Sequence, residues 1–153
     1  ITSYSTGSTL RTVSRELRIQ YPELAVVGIK IDTPPDRKGV YDDVAHSLVD
    51  HDSNSALGIT TLQISESQAW RAHSLLARTE GLLLGPKGAA AALTALRIRS
   101  DISAERAIVS LSIDGGQRYL GAEPPQVHDA LERIADCTNH DQALTAMRAL
   151  IQE

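Results

Sequence analysis

A small loop rich in hydroxyl side chains lies near the start of the sequence. Ser5, Thr6, Gly7, Ser8 and Thr9 follow a short β-type run and precede a helical pattern. The first backbone N–H groups of a helix lack intrahelical partners, and the helix dipole is positive at that end. The loop therefore predicts a phosphate-type anion site with added hydroxyl donors. The alternative is that these side chains only cap the helix.

Two further small-residue loops lie at similar junctions. One is the turn Gly85-Pro86-Lys87-Gly88-Ala89, and the other covers residues 114–119, beginning with Asp114. The first follows the turn at residues 80–85 and precedes a helical pattern. The second follows the strand pattern at residues 107–113. They are the remaining candidate ligand loops, although an Asp before two glycines is also ordinary turn chemistry.

The elements that must position these loops alternate between strand and helix patterns. Strand patterns cover residues 1–4, 24–31, 59–64 and 107–113, and helical patterns cover residues 8–20, 66–79, 89–98, 127–135 and 141–151. Ser65 and Gln68 have the spacing of a capping box. This order predicts an α/β fold, a mostly parallel sheet with helices on both faces, in which ligands bind at the carboxyl ends of the strands.

Composition excludes several classes of function. The 153 residues are 42% hydrophobic and 22% charged, which is typical of one globular domain or a large part of one. A net charge of −4 without a basic stripe argues against a nucleic-acid partner. Cys137 is the single cysteine of the sequence, so no internal disulfide can form, and a cytoplasmic location is predicted. No apolar run approaches the ~20 residues that span a bilayer, so no membrane partner is expected.

Histidines and carboxylates form one conspicuous group. The stretch between the second and third strand patterns carries the residues Asp42, Asp43, His46, Asp50, His51 and Asp52. Their spacing matches no known metal-binding pattern, so we interpret the group as a solvated face and assign no metal ligand, with a metal site as the alternative. His73, His128 and His140 lie in helical patterns that predict exposed side chains.

Four motifs occur in an order that resembles a known family. They are the phosphate-type loop STGST at residues 5–9, VVGI at 26–29, ARTEGLLLG at 77–85 and DGGQRYL at 114–120. Together they resemble the C-terminal half of fold-type II pyridoxal-phosphate enzymes of the cysteine synthase and cystathionine β-synthase family. The resemblance implies that residues 1–120 belong to the large domain of such an enzyme. We expect residues 121–153 to form a helical extension that packs on it.

The resemblance implies a site for pyridoxal phosphate. The loop at residues 5–9 would hold the cofactor phosphate, with Ser5 and Ser8 in place of two family glycines. The second loop departs most from the family, which has two serines there, one of which binds the pyridine nitrogen. Without a gap the two serines align with Lys87 and Gly88, and with a one-residue gap Lys87 replaces one serine and the other is missing, so no hydroxyl remains in either alignment. The ammonium of Lys87 could disfavour protonation of that nitrogen, or it could point to solvent. Asp114 resembles the family's Asp near the pyridine end of the cofactor.

The resemblance also implies an activity, namely β-elimination and β-replacement on serine or an O-activated serine. The Schiff-base lysine of the family lies upstream of the phosphate loop, so no catalytic residue is assigned in this sequence. We therefore expect the N-terminal half of the same enzyme as a partner, cleaved or as a separate chain. A small amino-acid substrate, a homodimer and exposed apolar surface where the other half would pack are also expected. The alternative is a non-catalytic relative that serves as a binding or assembly module.

Overall fold

The computed structural model describes residues 1–32, 54 and 56–152. Three strands, β1 (Thr2–Ser3), β2 (Val26–Asp32) and β3 (Ile59–Ser65), form the sheet. The α-helices are α1 (Ser8–Gln20), α2 (Glu66–Thr79), α3 (Pro86–Ile98), α4 (His128–Glu132) and α5 (His140–Gln152), with short 3-10 turns at Arg99–Asp101, Gly116–Tyr119 and Pro125–Val127. The predicted α/β fold class is confirmed.

The three strands are parallel and lie in the order β1, β2, β3. In the register, Thr2 is opposite Gly28, and Val26 is opposite Ile59. Because the strands are parallel, their carboxyl ends meet at one edge of the sheet. The loop that follows β1 therefore lies on the side of the sheet where ligands bind in folds of this class.

The predicted strand at residues 107–113 is wrong, because the segment forms only one isolated parallel bridge, between Leu111 and Thr2. Its Leu111 nitrogen donates to the Ile1 oxygen at 2.9 Å, and the Ile1 nitrogen donates to the Val109 oxygen at 2.7 Å. With only two residues in β1, few backbone partners are available for a longer ladder. The segment therefore lies extended beside β1 without becoming a regular strand.

One face of this extended segment is apolar and uncovered. Val109, Leu111 and Ile113 are 67%, 37% and 49% exposed. The alternate residues are serines that turn towards α3, and the Ser110 hydroxyl donates to the Ala91 oxygen at 3.2 Å. The alternation that predicts a strand at residues 107–113 therefore leaves an aliphatic stripe at the outer edge of the sheet.

Helices cover both faces of the sheet. On one face, Leu10 of α1 packs with Tyr4, Val26 and Ile59. Gly28 makes this contact possible, because a Cβ at position 28 would lie 2.6 Å from Leu10 Cδ2. On the other face, a larger cluster unites side chains of β2 and β3 with α2, α3 and α5, with Ile29, Ile64, Leu75, Leu93 and Leu150 among its most buried members.

The C-terminal helices share that larger cluster. Ile134, Ala143, Met147 and Leu150 are all buried in it. The helix predicted at residues 127–135 is shorter than expected, since α4 ends at Glu132. The division of the chain at residue 120 stays a prediction. None of the helices within the described ranges has the length and apolar character needed to cross a membrane.

Candidate functional site

The loop after β1 is shaped by a glycine. Gly7 is buried and has a φ of 77°, in the left-handed region that side chains disfavour, and it is the N-cap of α1. No side chain caps α1. The alternative in which the serine and threonine side chains only cap the helix is therefore not what the structure shows. Instead, the Thr6 and Ser8 hydroxyls lie 3.2 Å apart on the exposed side of the loop.

Arg11 supports the loop from within α1, a role that sequence reasoning missed. Its Nη2 donates to the Thr6 oxygen at 2.8 Å, and a Cβ on Gly7 would lie 3.3 Å from the same nitrogen. Residue 11 follows Gly7 by four positions, one helical turn, so its placement beside the loop could have been read from spacing. The contact fixes the loop backbone and adds a guanidinium to its surroundings.

The second and third candidate loops are held together by backbone hydrogen bonds. The Gly85 nitrogen donates to the Asp114 oxygen at 3.1 Å, and the Gly116 nitrogen donates to the Leu83 oxygen at 2.9 Å. Leu84 and Gly115 form an isolated antiparallel bridge. The start of α3 is therefore fixed relative to residues 114–116.

Gly88 packs closely against Ser112. A Cβ at position 88 would collide with the Ser112 hydroxyl, so this glycine permits close packing of α3 on the segment at residues 107–113. The turn at residues 85–89 carries no hydroxyl side chain. The Ser112 hydroxyl lies against Gly88 in that turn and donates to the Asp114 oxygen at 3.0 Å. Its position was missed, although the alternation of serines in residues 107–113 was the available signal.

Lys87 joins the first loop to the second. Its Nζ donates to the Ser5 hydroxyl at 3.0 Å, across 82 positions of the sequence. Lys87 is half-buried in the first turn of α3. Neither α1 nor α3 has an acidic residue in its first turn. The structure thus brings together the predicted residues Ser5 to Thr9, the ammonium of Lys87 and the starts of two helices.

Asp114 takes part in a chain of side-chain contacts rather than facing open space. Its carboxylate accepts a hydrogen bond from the Tyr119 hydroxyl. The Tyr119 ring packs edge-on against Trp70 at 5.9 Å, and Trp70 packs in the same way against His73 at 5.5 Å. Burial, followed by the hydrogen bond to Asp114 and the charge of Asp114, raises the pKa of Tyr119 to about 12.

His73 completes that chain and corrects a prediction. It was expected to be exposed but is 4% exposed, and its Nδ1 is hydrogen-bonded to the Leu84 oxygen. Since a carbonyl oxygen can only accept, Nδ1 carries the hydrogen. The side chain therefore holds the loop that leads into α3. No sequence signal separated His73 from the exposed histidines, because its contact with Leu84 requires the loop after α2 to fold back onto that helix.

The donor set at the first loop fits a phosphate group. Hydroxyls, a guanidinium, an ammonium and the N-termini of two helices are groups that bind a phosphate dianion. The carboxylate of Asp114 lies beside Gly85 at the start of α3, where it accepts the hydrogen bond from Tyr119. We call the loop at residues 5–9 together with Lys87 the cradle. Two concavities of the described structure are lined by other residues. One of about 330 Å³ lies beside Tyr4 and Lys30, and one of about 570 Å³ lies at the amino ends of the strands, beside Ile1, Tyr21 and Val109.

No group of three or more His, Cys, Asp or Glu side chains within residues 1–32, 54 and 56–152 could hold a metal ion. The acidic and histidine-bearing residues at positions 42–52 lie outside the described residues.

A comparison with known proteins gives one distant relationship. The chain is 26% identical over 130 residues to a probable cysteine synthase of Bacillus subtilis strain 168. The match covers 80% of this chain and 42% of that protein, so the chain spans less than half the length of its relative. No protein-family profile and no solved structure matches the chain. The chain is thus distantly related to cysteine synthases.

Proposed function

We propose that this chain is the phosphate-binding half of a pyridoxal-phosphate enzyme of fold-type II. The proposed reaction is β-elimination and β-replacement on serine or an O-activated serine. The observation that carries the proposal is the meeting of Lys87 with the loop at residues 5–9, because two loops placed by family resemblance converge on one anion-binding cradle. The relationship to a cysteine synthase supports the same assignment.

In this proposal, residues of this chain bind the phosphate of the cofactor and orient the cofactor. The hydroxyls of Ser5, Thr6, Ser8 and Thr9 and the first N–H groups of α1 hold the phosphate, and Gly7 lets the backbone approach it closely. Arg11 holds the loop in shape through the Thr6 oxygen. When bound, pyridoxal phosphate withdraws electrons from the α-carbon of an amino acid, so that a group can leave from Cβ.

The chemistry also requires a Schiff-base lysine, which in the family lies upstream of the phosphate loop. Lys30 lies on β2, and Lys87 contacts Ser5. We propose that the Schiff-base lysine comes from an N-terminal half of the same enzyme, and that the complete enzyme is a homodimer. The exposed stripe of Val109, Leu111 and Ile113 and the apolar groove at the amino ends of the strands support a partner polypeptide, because such surfaces are normally covered.

Native mass spectrometry of the purified protein, followed by denaturation, tests the assembly. We expect a second polypeptide that carries pyridoxal phosphate on a lysine. A stable chain without a partner and without affinity for the cofactor would overturn the proposal and favour the alternative, a non-catalytic binding or assembly module.

A matched pair of glycine variants tests the cradle. Gly7 and Gly81 have φ angles of 77° and 67°, so alanine strains the backbone similarly at both positions. Only Gly7 lies in the proposed cradle, and nothing lies within 4 Å of a Cβ at Gly81. Equilibrium dialysis should show that Gly7→Ala binds pyridoxal phosphate more weakly, while Gly81→Ala binds it like the unaltered protein. Equal binding by both variants would contradict the assignment of this loop.

A further inference from the structure

Two departures from the family pattern touch each other. Ser5 stands where the family loop has a glycine, and Lys87 stands where the family has a serine in the second loop. The Lys87 Nζ and the Ser5 hydroxyl are 3.0 Å apart. The two residues that depart from the family pattern are therefore in direct contact across 82 positions of the sequence.

The direction in which Lys87 extends is set by the fold. Its helix begins at Pro86, and the preceding Gly85 is fixed to Asp114 by a backbone hydrogen bond. Gly88 is packed against Ser112, so the first turn of α3 cannot rotate freely. From this anchored turn the Lys87 side chain reaches the loop after β1.

The carboxylate of Asp114 lies near the start of α3, beside Gly85, and accepts a hydrogen bond from Tyr119. Among the described residues, no carboxylate forms an ion pair with Lys87. The first turn of α3 carries no acidic residue, and neither does the first turn of α1. A serine hydroxyl is a neutral acceptor, so a bound phosphate oxygen would be a stronger partner for the same ammonium.

We propose that Lys87 binds the phosphate group of the cofactor, adding a cation to a cradle that the family builds from backbone groups and hydroxyls. This inference rests on the proposed function and adds that Lys87 determines the affinity for the phosphate group of the cofactor. Lys87 lies in the turn where the family has the serine that serves the ring end, and residues 85–89 of this chain carry no hydroxyl. The chain therefore places more of its binding energy on the phosphate and less on the pyridine nitrogen.

Pyridoxine 5′-phosphate tests this inference, because it carries the phosphate but no aldehyde and cannot bond covalently to a lysine. Its dissociation constant is measured by calorimetry on the purified protein with any partner polypeptide present, beside that of pyridoxine, which lacks the phosphate. The variants are Lys87→Met, Lys87→Arg and Arg97→Met. Arg97→Met is the matched control, since it removes a positive charge from the exposed last turn of the same helix.

We expect Lys87→Met to weaken binding of pyridoxine 5′-phosphate by roughly tenfold to a hundredfold, as for loss of a charged hydrogen bond. Lys87→Arg should restore most of the affinity, and the effect should shrink at high salt. Arg97→Met should bind like the unaltered protein. Binding of pyridoxine should change little in every variant.

The outcomes separate this inference from the proposed function. If the unaltered protein prefers pyridoxine 5′-phosphate to pyridoxine but Lys87→Met retains full affinity, the role of Lys87 is wrong and the proposed function stands. If Lys87→Met weakens both ligands equally, Lys87 acts on the fold or on the ring, and the inference is overturned. If the unaltered protein shows no preference for the phosphate-bearing ligand, the proposed function itself fails.

Discussion

Tyr119 donates its hydroxyl hydrogen to the carboxylate of Asp114, whose backbone oxygen in turn accepts from the Gly85 nitrogen. The pair therefore links the 3-10 turn Gly116–Tyr119 to the loop that leads into α3. Burial of the phenol, the hydrogen bond and the neighbouring negative charge all favour the protonated form. They raise the pKa of Tyr119 from 10.0 to about 12.

This shift predicts a loss of stability at alkaline pH. The folded state holds the phenolic proton more tightly than the unfolded state, so the contribution is fully present below the unfolded pKa of 10.0 and is lost as the pH rises through about 12. Tyr119→Phe should lower the free energy of unfolding at neutral pH and remove this part of its pH dependence. Urea unfolding at a series of pH values measures both effects. Tyr21→Phe is the control, because Tyr21 is 60% exposed. The same alkaline loss in Tyr119→Phe as in the unaltered protein would contradict the assignment.

Gly28 should be intolerant of a side chain. A Cβ at this position would lie 2.6 Å from Leu10 Cδ2 and 3.1 Å from Tyr4 Cδ1. Gly28→Ala should therefore lower the free energy of unfolding by about 1–3 kcal/mol through overpacking between β2 and α1. Urea denaturation gives the value.

A double-mutant cycle identifies the cause of that loss. Leu10→Ala removes the side chain that Gly28→Ala would strike, so the cost of Gly28→Ala should shrink when both changes are present. Additive costs would show that the strain arises elsewhere in the strand.

Much of the fold could be predicted because its signals are local. The helix Ser8–Gln20 has the predicted bounds, and the capping box of Ser65 and Gln68 is present as predicted. The strands at Val26–Asp32 and Ile59–Ser65 differ by one or two residues from their apolar patterns. Each of these elements depends on side-chain periodicity or on groups a few positions apart, which a sequence displays directly.

The remaining features depend on contacts between distant residues. Residues 107–113 have the composition of a strand, yet the length of β1 decides how much of a ladder they can form. The burial of His73 depends on the loop at Leu84 and on Trp70. The contact between Lys87 and Ser5 required the sheet, α1 and α3 to be in place. The resemblance supplied the members of the cradle, Lys87 among them, and the structure supplied the contact that joins Lys87 to the first loop.

The contact between His140 and Glu80 should be visible in the pKa of His140. His140 Nδ1 lies 2.7 Å from Glu80 Oε1, and this hydrogen bond and charge raise the pKa of His140 above its usual value of 6.5. The resulting stability is fully present below the unfolded pKa and is lost as the pH rises through the raised folded value. An NMR titration of His140 should therefore show a lower pKa in Glu80→Gln than in the unaltered protein. Glu16→Gln, which removes a carboxylate on α1, is the control, and an equal shift there would contradict a specific pair.

Gln68 should matter more to stability than its capping partner. Its side-chain oxygen accepts from the Ser65 nitrogen at 2.8 Å, and its side-chain nitrogen donates to the Leu150 oxygen at 2.7 Å. Ser65→Ala removes one cap bond and should cost about 0.5–2 kcal/mol. Gln68→Ala removes the reciprocal bond and also leaves a carbonyl of α5 unpaired, so it should cost more. Thermal unfolding of both variants gives the order, and a smaller loss for Gln68→Ala would contradict the bridging role.

Leu150 tests whether the C-terminal helices belong to the same cooperative unit as the sheet. It is fully buried in the cluster that contains Ile29 and Leu75. Leu150→Ala should therefore lower the free energy of unfolding by about 2–5 kcal/mol, whereas Leu120→Ala, at a side chain that is 65% exposed, should change it little. Hydrogen exchange of the amides in α2 and α3 shows whether these helices unfold together with α5 or separately from it. If their protection falls by the same free energy as global stability, α5 completes the core of the sheet. If their protection is unchanged, residues 121–153 unfold as a separate layer, and the core formed by α2, α3 and the strands is self-sufficient.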